Sequence, residues 1–284
     1  MSTIRPSATP AASPRTAIVL TASIDPRGMN QLIVSDVAAR RGEYLAAFKF
    51  ALARYRSVDT IVFVDNSGTA LDEFSDVVRN SGMTARGVVV GFSLNDFPRH
   101  LGKGYGEFRA FDEAVRSVPA LLSADRLIKL TGRLCVKNLD EILRCIPAGT
   151  TFAADVHARV VPGFVDTRLM VMSRTECIPQ IAGLYKTMDD SQGYFAEHAF
   201  HDLIVRETSW SVMPRLPREP LWIGRSGTMG TRYDSIGQRL RYPPKAIRRF
   251  MQLHGGSALR ALTDVRSRHS REGSADRHAS NQRN

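Results

Sequence analysis

A chain of 284 residues, 43% hydrophobic and 24% charged, is long enough for one large or two modest domains with a core. No apolar run approaches the ~20 residues that span a bilayer, and three scattered cysteines (Cys135, Cys145, Cys177) lack metal spacing, which fits buried thiols in a reducing compartment rather than a disulfide framework. The net charge of +11 invites a nucleic-acid reading, but eleven basic against three acidic side chains lie from Arg239 onward, so the globular part is nearly balanced.

Residues 1–15, rich in Ser, Pro, Ala and Thr, read as a disordered leader without the apolar block of a signal peptide, which predicts a cytoplasmic protein. Thr16–Thr21 is a continuous β-prone run, as expected of a strand buried on both faces, and ends in a loop set by Pro26 and Gly28. A helix follows with Tyr44, Phe48, Ala51, Leu52 and Tyr55 on one face. Thr60–Val64 is a second buried strand, stopped by Asp65-Asn66-Ser67-Gly68. Leu71–Val78 is helical and Gly87–Gly91 a third strand. The loop Phe92–Gly106 is long enough to indicate function, and Glu107–Val118 is helical with Phe108, Phe111 and Val115 inward.

Leu127–Thr131 forms strand four, and Leu139–Ile146 a helix with Asn138 as its N-cap. Phe152–Val156 and Leu169–Met172 are further strands; Cys177–Met188 and Tyr194–Val205 are helices. Strand and helix alternate from Thr16 to Ile146, which predicts an α/β fold: a Rossmann-like, mostly parallel sheet covered by helices, in one domain over residues 16–238. Ligands of such sheets bind at the carboxyl ends of the strands, the rim shared by Asp25, Asp65, Gly91 and Arg133. Beyond Trp210 the chain is loop-rich. Residues 239–263 form a basic amphipathic segment, with Lys245–Leu253 helical, and residues 264–284 a disordered basic tail.

The chemistry concentrates between Gly102 and Asn138. Gly102-Lys103-Gly104-Tyr105-Gly106-Glu107 reads as a flexible loop entering a helix, and Lys129-Leu130-Thr131-Gly132-Arg133 as a strand breaking at a glycine. Amides, a helix N-terminus and cations together suit a phosphate-bearing ligand, with a solvated loop as the plain alternative for Lys103. The glycines lack the ending of a P-loop and follow the third strand, not the first, so neither that motif nor the dinucleotide fingerprint applies. Lys129 is the odd member of an apolar strand and needs a partner or a polar cavity. A Lys129–Arg133 cation pair could neutralise a leaving diphosphate; an edge-strand lysine and a surface arginine are the alternative.

Asp65 either accepts hydrogen bonds from a ribose or base edge, or serves as a turn residue. Glu197, in the first turn of its helix, is a general-base candidate or a helix-dipole carboxylate paired with His201; Asp189 and Asp190 are substitutes. His198 and His201 lack a His-Glu-x-x-His pattern, so a zinc site has little support. Asp166-Thr167-Arg168 and Arg225-Ser226-Gly227-Thr228 could line an acceptor side or be ordinary loops.

In their order these pieces resemble glycosyltransferases with a GT-A-like fold from bacterial capsule and lipopolysaccharide gene clusters. The pieces are Leu20–Pro26, Ile61–Gly68, Gly102–Glu107, Lys129–Arg133, Asp166–Arg168, Glu197 and Gly224–Thr228, so the likeness covers Thr16 to Tyr233. The resemblance implies transfer of a sugar from a nucleotide-sugar donor to a hydroxyl of a glycan or lipid-linked glycan acceptor. Donor contacts would come from Thr21, Ser23, Asp65, Asn66, Ser67, Lys103, Gly104, Gly106, Glu107, Lys129, Thr131, Gly132 and Arg133. Asp166, Arg168, Arg225 and Ser226 would face the acceptor. Glu197 would be the base, with Lys103, Lys129 and Arg133 stabilising the departing nucleoside diphosphate.

One departure matters: the Asp-x-Asp metal motif expected after the fourth strand is absent, and Asp155-Val156-His157 is the nearest acidic substitute. No cofactor is firmly expected: cations stabilising the leaving group are the leading reading and Mg²⁺ or Mn²⁺ the alternative, while a single base and in-line attack imply an inverting enzyme. The basic segment could hold it peripherally on the anionic inner membrane face, with a capping helix and a solvated tail as the alternative. The rivals are another nucleotide-binding or nucleotidyl-transferring enzyme and a nucleic-acid-binding protein; no recognition motif supports the latter.

Overall fold

A computed structural model describes residues 14–26, 36–157, 163–225, 230 and 232–235. The expected basic segment at 239–263, the tail at 264–284, most of the leader and Ser226 lie outside these residues. The elements follow in the order β1 (Thr16–Ala22), α1 (Val37–Arg54), β2 (Thr60–Asp65), α2 (Asp72–Asn80), β3 (Gly87–Gly91), α3 (Gly102–Ser117), α4 (Pro119–Leu122), β4 (Arg126–Thr131), β5 (Cys135–Val136) and α5 (Leu139–Arg144). Then come β6 (Phe152–Ala153), β7 (Val156–His157), β8 (Phe164–Val165), β9 (Leu169–Ser173), α6 (Arg174–Ile181), α7 (Ala196–Arg206), β10 (Val212–Met213) and β11 (Trp222–Ile223).

Seven strands form one sheet in the order β10-β6-β9-β4-β1-β2-β3. β1, β2, β3 and β4 are mutually parallel, β9 runs antiparallel to both β4 and β6, and β10 is parallel to β6. β1 is central and buried along its whole length, as its unbroken apolar run requires. Alternation along the strands feeds two cores. Val19, Val62 and Met170 meet α3 and α7 on one face, while Ile18, Phe63 and Leu130 meet α1, α2 and α5 on the other.

Several expectations are corrected. The segment Phe92–Gly106 is not a long loop: a 3₁₀ turn occupies Arg99–Leu101 and α3 begins at Gly102. The helix expected over Cys177–Met188 ends at Ile181; Gly183 adopts φ +75° and a 3₁₀ turn covers Leu184–Thr187. The strand expected over Phe152–Val156 is two short ones in different sheets. Asn138 is the N-cap residue of α5, as expected, and its carbonyl accepts from Ile142 N–H at 3.0 Å, but its side chain does not cap the helix; that amide receives Leu221 N–H at 2.8 Å and donates to Glu219 O at 2.9 Å. That contact holds the late segment, where Trp222 and Ile223 pair antiparallel with Val136 and Cys135.

Candidate functional site

The carboxyl rim of β1 and β4 carries a polar network on the α3 face. Lys129, fully buried, points from β4 toward α3, as the alternation with its neighbours dictates. Its ammonium has three donors and meets three acceptors: Glu107 Oε1 at 2.6 Å, Thr167 O at 2.8 Å and Thr131 Oγ1 at 3.2 Å. It also lies 5.0 Å from the Phe108 ring centroid. Glu107 receives Thr21 Oγ1–H at 2.6 Å, so one carboxylate ties α3 to both strand ends. Burial pushes the Glu107 carboxyl up, but Lys129, the hydrogen bonds from Lys129 and Thr21, and the Lys103 charge outweigh it and hold it below the usual range. Lys129 is thus a saturated strut, not an available cation.

Glu197, half-buried at the start of α7, accepts from Thr167 Oγ1 at 3.4 Å. Its carboxyl is raised: burial dominates, its own backbone N–H opposes, the Glu107 charge adds to the rise, and Lys103 and Lys129 oppose. The expected partnership with His201 does not form; His201 instead lies 3.4 Å from Asp202, while His198 Nδ1 accepts from Phe195 N–H at 3.2 Å. The two histidines therefore do not converge. Among the described residues no three His, Cys, Asp or Glu side chains lie together as a metal site. Asp155 is buried and accepts from Leu216 N–H at 3.0 Å.

The glycines before Glu107 serve close packing, not flexibility. Gly102 adopts φ +82°, and a Cβ there would lie 1.8 Å from Asp190 Oδ2. The Asp190 carboxyl, pushed up by burial against the pull of the Lys103 charge, accepts from the Lys103 backbone N–H and so sits at the N-terminus of α3. That helix end is taken by a carboxylate of the same chain, which corrects the expected phosphate cradle. Cβ atoms at Gly104 and Gly106 would fall 3.1 Å from Ala196 Cβ and 2.7 Å from the Phe97 ring. The Lys103 side chain itself is exposed, and its charge is felt by Asp190, Glu107 and Glu197.

Asp65 is fully buried and receives Ile24 N–H at 2.8 Å, Ser67 N–H at 2.9 Å and Ser67 Oγ at 2.6 Å. This is the turn reading: its carboxylate fastens the loop after β1 to the end of β2. Asn66 accepts from Ser23 Oγ at 2.6 Å, leaving its buried Nδ2 without a partner. Ser23 O in turn accepts from the Arg40 guanidinium.

Arg133 is not beside Lys129. β4 ends at Thr131, Leu134 N–H closes a turn on Thr131 O at 2.9 Å, and Gly132 donates to Thr21 O at 2.8 Å, where a Cβ would come within 2.7 Å. The turn swings Arg133 to the α1 face, 3.2 Å from Glu43 and 5.8 Å from the Tyr44 ring centroid. The expected Lys129–Arg133 pair is therefore split between opposite faces.

Asp166 and Arg168 pair with each other, and Arg168 also donates to Tyr233 Oη at 2.9 Å and stacks over Trp222 and Tyr233 at 4.9 and 5.3 Å. Burial pulls the Arg168 guanidinium pKa down, but Asp166 and then Tyr233 together outweigh it and raise it. This cluster anchors the late segment to β9. Arg225 lines the α1 face with Arg133.

The chain is similar in backbone architecture to glycosyltransferases. The glycosyltransferase GlyE of Streptococcus pneumoniae is 10% identical at a TM-score of 0.45, covering 71% of this chain and 45% of its own. The chain thus spans less than half of that protein's length. A mannosyltransferase of Pyrobaculum calidifontis, in complex with GDP-Man and Mn²⁺, is 13% identical at 0.46, covering 94% and 81%. A cytidylyltransferase of Leptospira borgpetersenii is 13% identical at 0.44, covering 83% and 97%. No protein-family model matches, and no curated protein matches significantly.

Sequence reasoning passed over Glu43 and Arg40, and read Tyr44 only as a member of the apolar face of α1. Arg40 is buried, donates to Tyr44 Oη at 3.2 Å, and sits 5.7 Å from that ring's centroid, the ring that Arg133 also approaches. Their spacing at i, i+3 and i+4 was a usable signal, since an arginine and a glutamate flank a tyrosine on the apolar face of α1.

Proposed function

We propose that the rim of β1 and β4 transfers a glycosyl group from a nucleotide-sugar to an acceptor hydroxyl, with Glu197 as general base. The observation that carries this reading is the state of Glu197: a half-buried carboxyl, raised by burial, at a strand-end rim with an exposed lysine nearby. A carboxylate whose proton affinity is raised by burial takes a hydroxyl proton more readily. The acceptor oxygen attacks the anomeric carbon as Glu197 takes its proton, and the bond to the nucleoside diphosphate breaks with its electron pair leaving on phosphate oxygen. A single base acting on the attacking hydroxyl gives inversion.

Lys103, exposed on the same face, supplies positive charge for the leaving diphosphate. Lys129 and Glu107 hold the strand ends around it. A glycan, free or lipid-linked, in bacterial surface polysaccharide synthesis is the acceptor class this reading implies, and peripheral attachment through the basic C-terminal segment belongs to it.

A thermal-shift panel of UDP, GDP, CMP and dTDP, with and without Mn²⁺, tests the reading. One of these nucleotides should stabilise the protein and be the leaving nucleotide released during turnover. No stabilisation by any of them would defeat the proposal, and release of pyrophosphate from a nucleoside triphosphate would establish nucleotidyl transfer instead.

A further inference from the structure

A cavity of about 310 Å³ opens on the α1 face, away from Glu197 and Lys129. One wall is a stripe of α1, Glu43, Ala46, Ala47 and Phe50, at the i, i+3, i+4, i+7 spacing of a single helix face. Arg133, Ile223, Arg225 and Arg232 lie opposite. The stripe runs about 10 Å along the helix, from a charged end at Glu43 to an apolar end at Phe50.

The charges do not balance. Arg133 is 8% exposed, shares Glu43 as its carboxylate, and keeps a buried Nε–H without any partner. Arg40, also buried, adds its charge to the same neighbourhood, while Arg232 is paired with Asp234 at 3.0 Å. Arg225 has no carboxylate partner among the described residues. A buried excess of guanidinium groups with an unused donor is a half-built ion pair, and an oxyanion completes it with paired hydrogen bonds. The charged side chains lining the cavity are three arginines and one occupied carboxylate.

We propose that this cavity binds an anionic amphiphile, with a phosphate head on Arg133 and Arg225 and a short hydrocarbon chain along Ala46, Ala47 and Phe50. The site is separate from the rim that holds Glu197 and does not depend on the transferase reading.

Isothermal titration of the full chain with octyl phosphate, inorganic phosphate and octanol tests it. Octyl phosphate should bind more tightly than phosphate, and octanol should not bind measurably. Arg225→Gln should weaken octyl phosphate by about tenfold or more, the loss expected for a charged hydrogen bond. Phe50→Ser should remove the advantage of the chain while leaving inorganic phosphate unchanged. Sedimentation with phosphatidylglycerol vesicles that Arg225→Gln abolishes would identify a lipid headgroup as the source. Octyl phosphate binding with vesicle binding unaffected by that variant would identify a soluble one; both outcomes support the site. Equal affinity for octanol, an unchanged affinity in folded Arg225→Gln, or displacement of octyl phosphate by a nucleoside diphosphate would overturn it. The last result would make the cavity part of a nucleotide site. Loss of nucleotide binding in the thermal-shift panel, with octyl phosphate still bound, would strike only the transferase reading.

Discussion

Glu107→Gln and Lys129→Met remove the same ion pair, yet they should not cost the same. Lys129 is fully buried and Glu107 keeps 26% of its side chain exposed, at an Nζ–Oε1 distance of 2.6 Å. Replacing Glu107 leaves an ammonium in the interior with only neutral acceptors. Removing one partner of a buried pair in this way costs about 3–5 kcal/mol. Replacing Lys129 leaves a carboxylate that water still reaches and that Thr21 still serves, so the loss should be about 1–3 kcal/mol.

The double variant Lys129→Met/Glu107→Leu removes both desolvation penalties and should lie within about 1 kcal/mol of the wild type, or above it. Urea unfolding midpoints at constant m measure all three. pH adds a signed check. Glu107 is held below its ordinary value, so the pair contributes fully above the unfolded carboxyl pKa, about 4.3, and the contribution fades as pH falls through the folded value. The wild type should therefore lose stability relative to the double variant as the pH drops below about 4. Equal losses in the two single variants, or a larger one for Lys129→Met, would refute the strut.

Glu197→Gln should raise the melting temperature at pH 7 while lowering transfer by about 10²–10⁴-fold. The sign follows from the raised carboxyl: the ionised group destabilises the native state above its unfolded pKa, so the gain should vanish near pH 4 in differential scanning calorimetry. Gly106→Ala places a Cβ 2.7 Å from the Phe97 ring, which is itself stacked on Tyr105 at 4.9 Å. It should cost about 1–3 kcal/mol of unfolding free energy, whereas Gly82→Ala, with open space around it but φ +68°, tests backbone strain alone.

The strands were legible because β1, β2 and β4 are buried on both faces and leave apolar runs, broken in β4 only by Lys129. Lys129 was legible as an anomaly for the same reason. Its partner was not, since Glu107 reaches it through a helix register that a local pattern does not carry. The glycines of α3 were misread because the reasons for them, Asp190, Ala196 and Phe97, lie up to 92 residues away in sequence. Arg133 shows how little error is needed to misplace a cation. Residues two apart share a strand face, which would put Arg133 with Thr131 and Lys129. The turn closed by Leu134 N–H on Thr131 O reverses the side chain and assigns it to Glu43.

The strut and the proposed base are electrostatically linked, and that link separates a catalytic Glu197 from a structural one. Among the charges acting on its carboxyl, Glu107 raises it, while Lys103 and Lys129 lower it. Glu107→Gln removes the repulsive charge and leaves Lys129 unopposed, so both changes favour the ionised Glu197. The acid limb of the pH–rate profile, which reports the base in its working form, should move to lower pH. Lys129→Met removes an attractive charge and should move that limb to higher pH. A domain above the low end of the usual stability range of about 5–15 kcal/mol remains folded through either loss, and a melting curve of each variant shows that the two shifts are read on native protein. Opposite displacements by two variants that break one and the same ion pair cannot arise from a shared loss of packing. If both variants slow the reaction with the limb unmoved, the titrating group is not Glu197, and the base must be sought elsewhere on the rim.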